Sequence, residues 1–80
     1  MEQVGTIRVL AFGALAQRLG WSEQAMALRP GDTVGTLRAQ LALGSAAGLV
    51  RIAVNQAFAT DEQGLAAGDE VALIPPVSGG

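Results

Sequence analysis

Eighty residues, half of them hydrophobic, with a formal charge of −2 describe one small domain with a modest core. The chain has no cysteine and no histidine, which removes thiol nucleophiles, disulfides, iron–sulfur and Cys-type zinc ligation, and the usual general base. All five cations are Arg, so a Lys Schiff base is excluded, and seven carboxylates against them leave no footprint for nucleic acid.

Thr6 to Phe12 is rich in β-branched and large apolar residues and predicts a strand. Ile7, Val9 and Ala11 share one face of it, while Arg8, Leu10 and Phe12 leave the other only partly polar. Gly13 ends the strand, Ala14 to Leu19 suits a short helix, and Gly20 is placed for a left-handed C-terminal cap. Ser22 to Leu28 predicts a second strand with Met26 and Leu28 facing alike, and Pro30-Gly31-Asp32 a turn.

Asp32-Thr33 is the clearest helix start, since either side chain accepts from orphan amides ahead. Val34, Leu37 and Leu41 then share a helical face, with Gly44 as the stop and Ser45 to Gly48 as a loose connection. Val50 to Val54 predicts a strand, Asn55-Gln56 a turn, Ala57 to Thr60 a short strand, Leu65 to Asp69 a tight turn and Glu70 to Ile74 the final strand. Pro75 and Pro76 cannot extend a sheet ladder, so regular structure stops there.

This order predicts an α+β fold of the β-grasp type, a mixed sheet of about five strands packed on one main helix with a short additional helix. The first and last strands pair centrally in such a fold. Residues 1–74 form the domain, and residues 75–80 are a flexible tail leaving a rigid central strand. No apolar run is long enough to span a bilayer and no signal peptide precedes the first strand, so the expected address is the cytoplasm.

With side-chain chemistry so reduced, the end of the chain is the candidate working site. Gly79 and Gly80 carry no Cβ, so the final carbonyl can enter a narrow channel, and the Gly80 carboxylate can be activated. Residues 75–80 span at most about 20 Å when extended. Pro75-Pro76 favours polyproline II and limits the entropy lost on threading, while Val77 and Ser78 can contact a channel wall.

The segment Leu65 to Gly80, with its Gly68-Asp69-Glu70-Val71 turn into the last strand and its Pro75-Pro76-Val77-Ser78-Gly79-Gly80 end, resembles the molybdopterin synthase small subunit. That subunit belongs to the ubiquitin-like sulfur carriers. Arg51 to Gln56 and Val9 to Gly20 resemble the same family, so the likeness covers nearly the whole chain. Two departures stand out. The family often has Arg in the middle of the first helix, where this chain has Ala16-Gln17 with Arg18 nearby. It also favours aromatic residues before Pro-Pro, where this chain has Leu73 and Ile74.

The resemblance implies a carrier that is spent and recharged. A ubiquitin-activating-like adenylyltransferase would use ATP to adenylate Gly80, a sulfur donor would convert it to a thiocarboxylate, and the tail would enter the large synthase subunit. There the sulfur passes to cyclic pyranopterin monophosphate. The carrier binds no cofactor or metal of its own, and the family assembles as two small subunits flanking a dimer of large ones.

Other features have plainer uses. Gly68-Asp69 and Asn55-Gln56 make turns, and Trp21 packs. Asp61-Glu62 and Asp69-Glu70 are neighbours that point apart on a strand, so a paired-carboxylate or metal site is not expected. Phe58, Leu73 and Ile74 lie near the tail's root and are candidates for an apolar partner-facing patch. Three alternatives stay open: a carrier for thiamine, tRNA or amino-acid sulfur, a ubiquitin-like protein modifier, and a plain interaction module with an inert tail.

Overall fold

The structure, a computed structural model, describes residues 3–41 and 43–76. Strand β1 (Gly5–Ala11) leads into a short helix α1 (Gly13–Leu19), strand β2 (Glu23–Leu28) and the main helix α2 (Val34–Gln40). A 3-10 helix (Gly44–Leu49) precedes β3 (Arg51–Val54), β4 (Ala57–Phe58) and β5 (Glu70–Ile74). One five-stranded mixed sheet runs in the order β2-β1-β5-β3-β4. Strands β1 and β5 are parallel and the other neighbours antiparallel, so the first and last strands pair centrally as expected. The architecture is the α+β, β-grasp arrangement.

Alternation builds the core. Ile7, Val9 and Ala11 of β1 are buried on one face, beside Val71 and Leu73 of β5, Ile52 and Val54 of β3 and Leu28 of β2. Leu15 of α1 and Val34 and Leu37 of α2 close over them, and Trp21 packs at the margin. Gly20 caps α1 in the left-handed region at φ 86°, its amide donating to the Ala16 carbonyl.

Helix α2 begins where Thr33 predicts. The Thr33 hydroxyl accepts from the Thr36 amide (3.2 Å), and the Thr36 hydroxyl accepts from the Thr33 amide (2.8 Å). The Val34 and Gly35 amides donate to the carbonyls of Gln63 and Asp61, both at 2.9 Å. The first-turn donors are therefore satisfied by the protein itself.

The helix ends at Gln40 rather than at Gly44, because Leu41 already has extended backbone. Leu43 then drops into the core with no exposed surface. The segment expected to be loose is a 3-10 helix, pinned by a side chain that local propensity does not reveal. Arg38 Nη1 donates to the carbonyls of Ala47 (2.6 Å) and Val50 (2.5 Å), while Nε and Nη2 reach Asp61 Oδ1 at 3.2 and 3.1 Å. Gly44 sits at φ +62°, and a Cβ there would lie 2.0 Å from the Arg18 guanidinium.

Strand β4 is two residues long instead of four, since the chain beyond Phe58 leaves to meet the start of α2. Asn55 and Gln56 both have positive φ (51° and 72°), the requirement of a two-residue hairpin turn that matches strand twist. No helix among the described residues is long and apolar enough to cross a membrane.

Candidate functional site

The tail is rooted on an interior strand. Strand β5 is laddered to β1 on one side, from Arg8↔Glu70 to Ala11↔Leu73, and to β3 on the other, from Val54↔Val71 to Arg51↔Ile74. The turn that feeds it is locked by side chains. Asp69 Oδ2 accepts from the Ala66 amide (2.8 Å), Asp69 Oδ1 from Asn55 Nδ2 (2.9 Å), and Asn55 Oδ1 from the Glu70 amide (3.0 Å). Gly68-Asp69 is thus a structural turn, as is Asn55-Gln56. The ladder ends at Ile74, with Pro75 half-buried and Pro76 exposed. Val77, Ser78, Gly79 and Gly80 lie outside the described residues.

The apolar pair before the prolines divides between the two sides of the sheet. Leu73 has no exposed surface; it lies beside Ala11 and Ile52 under the helices. The expectation that its side chain faces a partner is therefore corrected: period-two alternation from Val71 commits it to the core. Ile74 points the other way, is half-buried, and stands opposite Arg51.

On that open face the register aligns Leu10, Ala72, Ala53 and Phe58 in one row across four strands. The two alanines make a shallow trough between the larger ends. Phe58 is 58% exposed, and the Arg51 guanidinium carbon lies 3.9 Å from its ring centroid. Phe12, just past β1, is also exposed. Together with Ile74 these residues form an apolar strip beside the tail's root.

The strip is bounded by charge. Arg8 donates to Glu70 and lies 3.6 Å from Glu23. The hydrogen bond that Arg8 donates to Glu70, then the nearby charge of Glu23, raise the Arg8 pKa above its ordinary value. The acidic neighbours serve structure: Asp61 holds Arg38, Asp69 closes its turn and Glu70 holds Arg8. Among the described residues no group of three carboxylates is arranged to hold a metal ion.

Sequence reasoning placed Phe58 and Ile74 near the root but missed Leu10, Ala53, Ala72 and Arg51. The partly apolar second face of β1 is the local signal for Leu10. For Ala53, Ala72 and Arg51 there is none, because only strand register brings them together.

The ThiS family model matches residues 9–80. No curated protein sequence matches the chain. Among solved structures, SAMP1 (small archaeal modifier protein 1) from Haloferax volcanii is 28% identical, with a TM-score of 0.76 over 95% of this chain and 100% of that one. A complex of subunits 1 and 2 of molybdopterin-converting factor from Helicobacter pylori 26695 contains a chain 26% identical to this one. The TM-score there is 0.65, over 94% of this chain and 99% of that one. A ubiquitin from Caldiarchaeum subterraneum, 21% identical, shares the fold with a TM-score of 0.66 over 95% and 98% of the two chains.

Proposed function

Since the chain belongs to the ThiS family, we propose that it is a sulfur carrier of molybdenum cofactor biosynthesis, the small subunit of a molybdopterin synthase. The observation that carries this reading is a Pro-Pro-Val-Ser-Gly-Gly tail issuing from the interior strand β5. The root is fixed on both sides, so the reach of the carboxyl end is set by six residues alone.

The Gly80 carboxylate is ionised at neutral pH and is a poor acyl electrophile. In the proposed cycle its oxygen attacks the α-phosphorus of ATP on an adenylyltransferase, and the bond to pyrophosphate breaks. A sulfide-equivalent nucleophile then attacks the acyl carbon, the bond to AMP breaks, and a thiocarboxylate remains. Its sulfur passes to cyclic pyranopterin monophosphate in the large subunit, and an oxygen from water restores the carboxylate. In this reading the ATP-dependent cycle runs in the cytoplasm.

The partner surface in this reading is the strip of Leu10, Phe58, Ala72 and Ile74, continued by Pro75 and Pro76. The Helicobacter pylori complex of subunits 1 and 2 supports a large-subunit partner, here in a heterotetramer. Val77 and Ser78 line the channel contact, and Gly79 and Gly80 reach the reacting centre. A second reading, a protein modifier joined through Gly80, is favoured by the similarity to SAMP1.

One experiment separates them. Incubation with the activating enzyme, ATP and sulfide should add the mass of an oxygen-to-sulfur exchange, and the product should support dithiolene formation by the large subunit. Gly80→Ala should fold normally and fail to load or transfer. Adducts at the mass of a second protein would establish the modifier, and full transfer by Gly80→Ala would overturn the carrier mechanism.

A further inference from the structure

The two edges of the sheet are unequal. Strand β4 presents two residues, whereas β2 presents six along a free edge. The Ala11 amide donates to the Ser22 carbonyl (2.9 Å) and the Val4 amide to the Leu28 carbonyl (2.8 Å). The backbone groups of the even-numbered residues from 22 to 28 therefore face β1. Those of Glu23, Ala25 and Ala27 face outward, without a backbone partner among the described residues. Edges of this length are ordinarily blunted by a central charge, a proline or a bulge. Here the centre is Gln24-Ala25-Met26-Ala27, with none of these. A groove of about 460 Å³ runs along it, lined by Gln24, Met26 and Arg29 with Gln3 and Gln40 at its sides.

The charges sit at the ends and are opposite in sign. Glu23 lies three residues before Met26 and Arg29 three after. From this we propose that β2 is a self-association edge: two copies of the chain pair β2 against β2, antiparallel, about a two-fold axis at Met26. In that register Ala25 and Ala27 of the two copies face each other with their outward amides and carbonyls, forming the hydrogen-bonded pairs. Each Glu23 stands opposite the other copy's Arg29, on the same side of the joined sheet. Met26 meets its own symmetry mate at a non-hydrogen-bonded position, where side chains come closest. Its unbranched side chain adapts to the groove beside Gln40.

Shifting the register by two residues keeps backbone pairing possible but separates both charge pairs. Charge complementarity therefore selects the Met26 axis. Arg29 lies just past the end of β2 with its amide held by Asp32 Oδ2 (2.8 Å), so in this register it meets Glu23 through its side chain alone. The tail root on the central strand β5 is two strands from β2, and Phe58 lies on the opposite edge strand β4, so self-pairing leaves both open. Pairing a single six-residue strand per copy is expected to bury less than the roughly 1,200–2,000 Å² of a stable interface, so association should be weak and concentration-dependent.

Sedimentation equilibrium of the full chain across a concentration series should show reversible dimer formation. Glu23→Arg and Arg29→Glu each place like charges opposite, twice per dimer, and should each raise the dissociation constant about tenfold. An equimolar mixture of the two variants restores both opposite-charge pairs and should dimerise like the original. Because the chain has no cysteine, Met26→Cys should give a disulfide-linked dimer on mild oxidation, while Gln24→Cys should not. A monomer at every concentration with no Met26→Cys cross-link would overturn the proposal and leave the edge to an extended segment of another protein. A dimer whose variants fail to complement when mixed would overturn the register.

Discussion

The two sides of β5 carry different work within five residues. Val71 and Leu73 point under the helices and have no exposed surface, while Ala72 and Ile74 point to the open face and are half-buried. The same strand thus anchors the core and sets the root of the tail. A carrier needs that combination, because a tail that must thread a narrow channel gains from a root that does not move. Adjacent apolar residues in such a strand are consequently not interchangeable, and substitutions on either side should separate stability from binding.

The largest effect belongs to the covered side. Leu73→Ala should lower unfolding free energy by about 2–5 kcal/mol, as expected for a large-to-small change in a packed core. Urea denaturation followed by circular dichroism reads it directly. A loss below about 1 kcal/mol would mean that the site collapses around the gap and that the two sides differ less than their burial implies. Arg38→Met comes next, at about 1–3 kcal/mol, since it strands the Ala47 and Val50 carbonyls that the guanidinium now satisfies. Hydrogen exchange should show the loss of protection concentrated over residues 44–50, with the β1–β5 ladder unchanged.

These two residues also mark where the sequence was legible. Leu73 sits in the unbroken apolar run Val71 to Ile74, and the strand itself was plain from Glu70 to Ile74. Which of Leu73 and Ile74 turns inward depends on the register against β1 and β3, a non-local property. The order of the elements, the Thr33 start of α2, the Gly20 cap and the Asn55-Gln56 turn were readable because each rests on propensities or contacts within a few residues. The 3-10 helix was not, because its support comes from Arg38 and Asp61, 23 residues apart in sequence. The open-face row is the same case: four residues from four strands have no shared pattern in the chain. The tail was legible in the opposite sense, as a motif whose chemistry is independent of packing.

On the open side, Ile74→Asp should weaken binding to the large subunit tenfold or more while costing stability less than about 1 kcal/mol. Arg51 lies directly opposite, so a carboxylate at position 74 gains a cation as neighbour and the fold tolerates it. Titration calorimetry against the large subunit, paired with urea denaturation of the same variant, tests the split. Equal losses in both would return Ile74 to the core and erase the contrast with Leu73.

The smallest effect concerns the Arg51–Phe58 pair, and its size decides what Arg51 does. An exposed cation over an aromatic face contributes about 0.5–1 kcal/mol, so Arg51→Ala should cost no more than that in stability. A double-mutant cycle with Phe58→Ala should return a coupling energy of the same size. If the guanidinium acts only by holding the ring in its presented orientation, the complex can lose no more than that coupling. Arg51→Ala should then weaken partner binding by about two- to fivefold, whereas Phe58→Ala removes the anchor and weakens it further. A loss of well over about tenfold for Arg51→Ala could not come from orientation alone. It would make Arg51 a direct contact to an acidic group on the partner, and the resulting salt dependence of the association rate would show it.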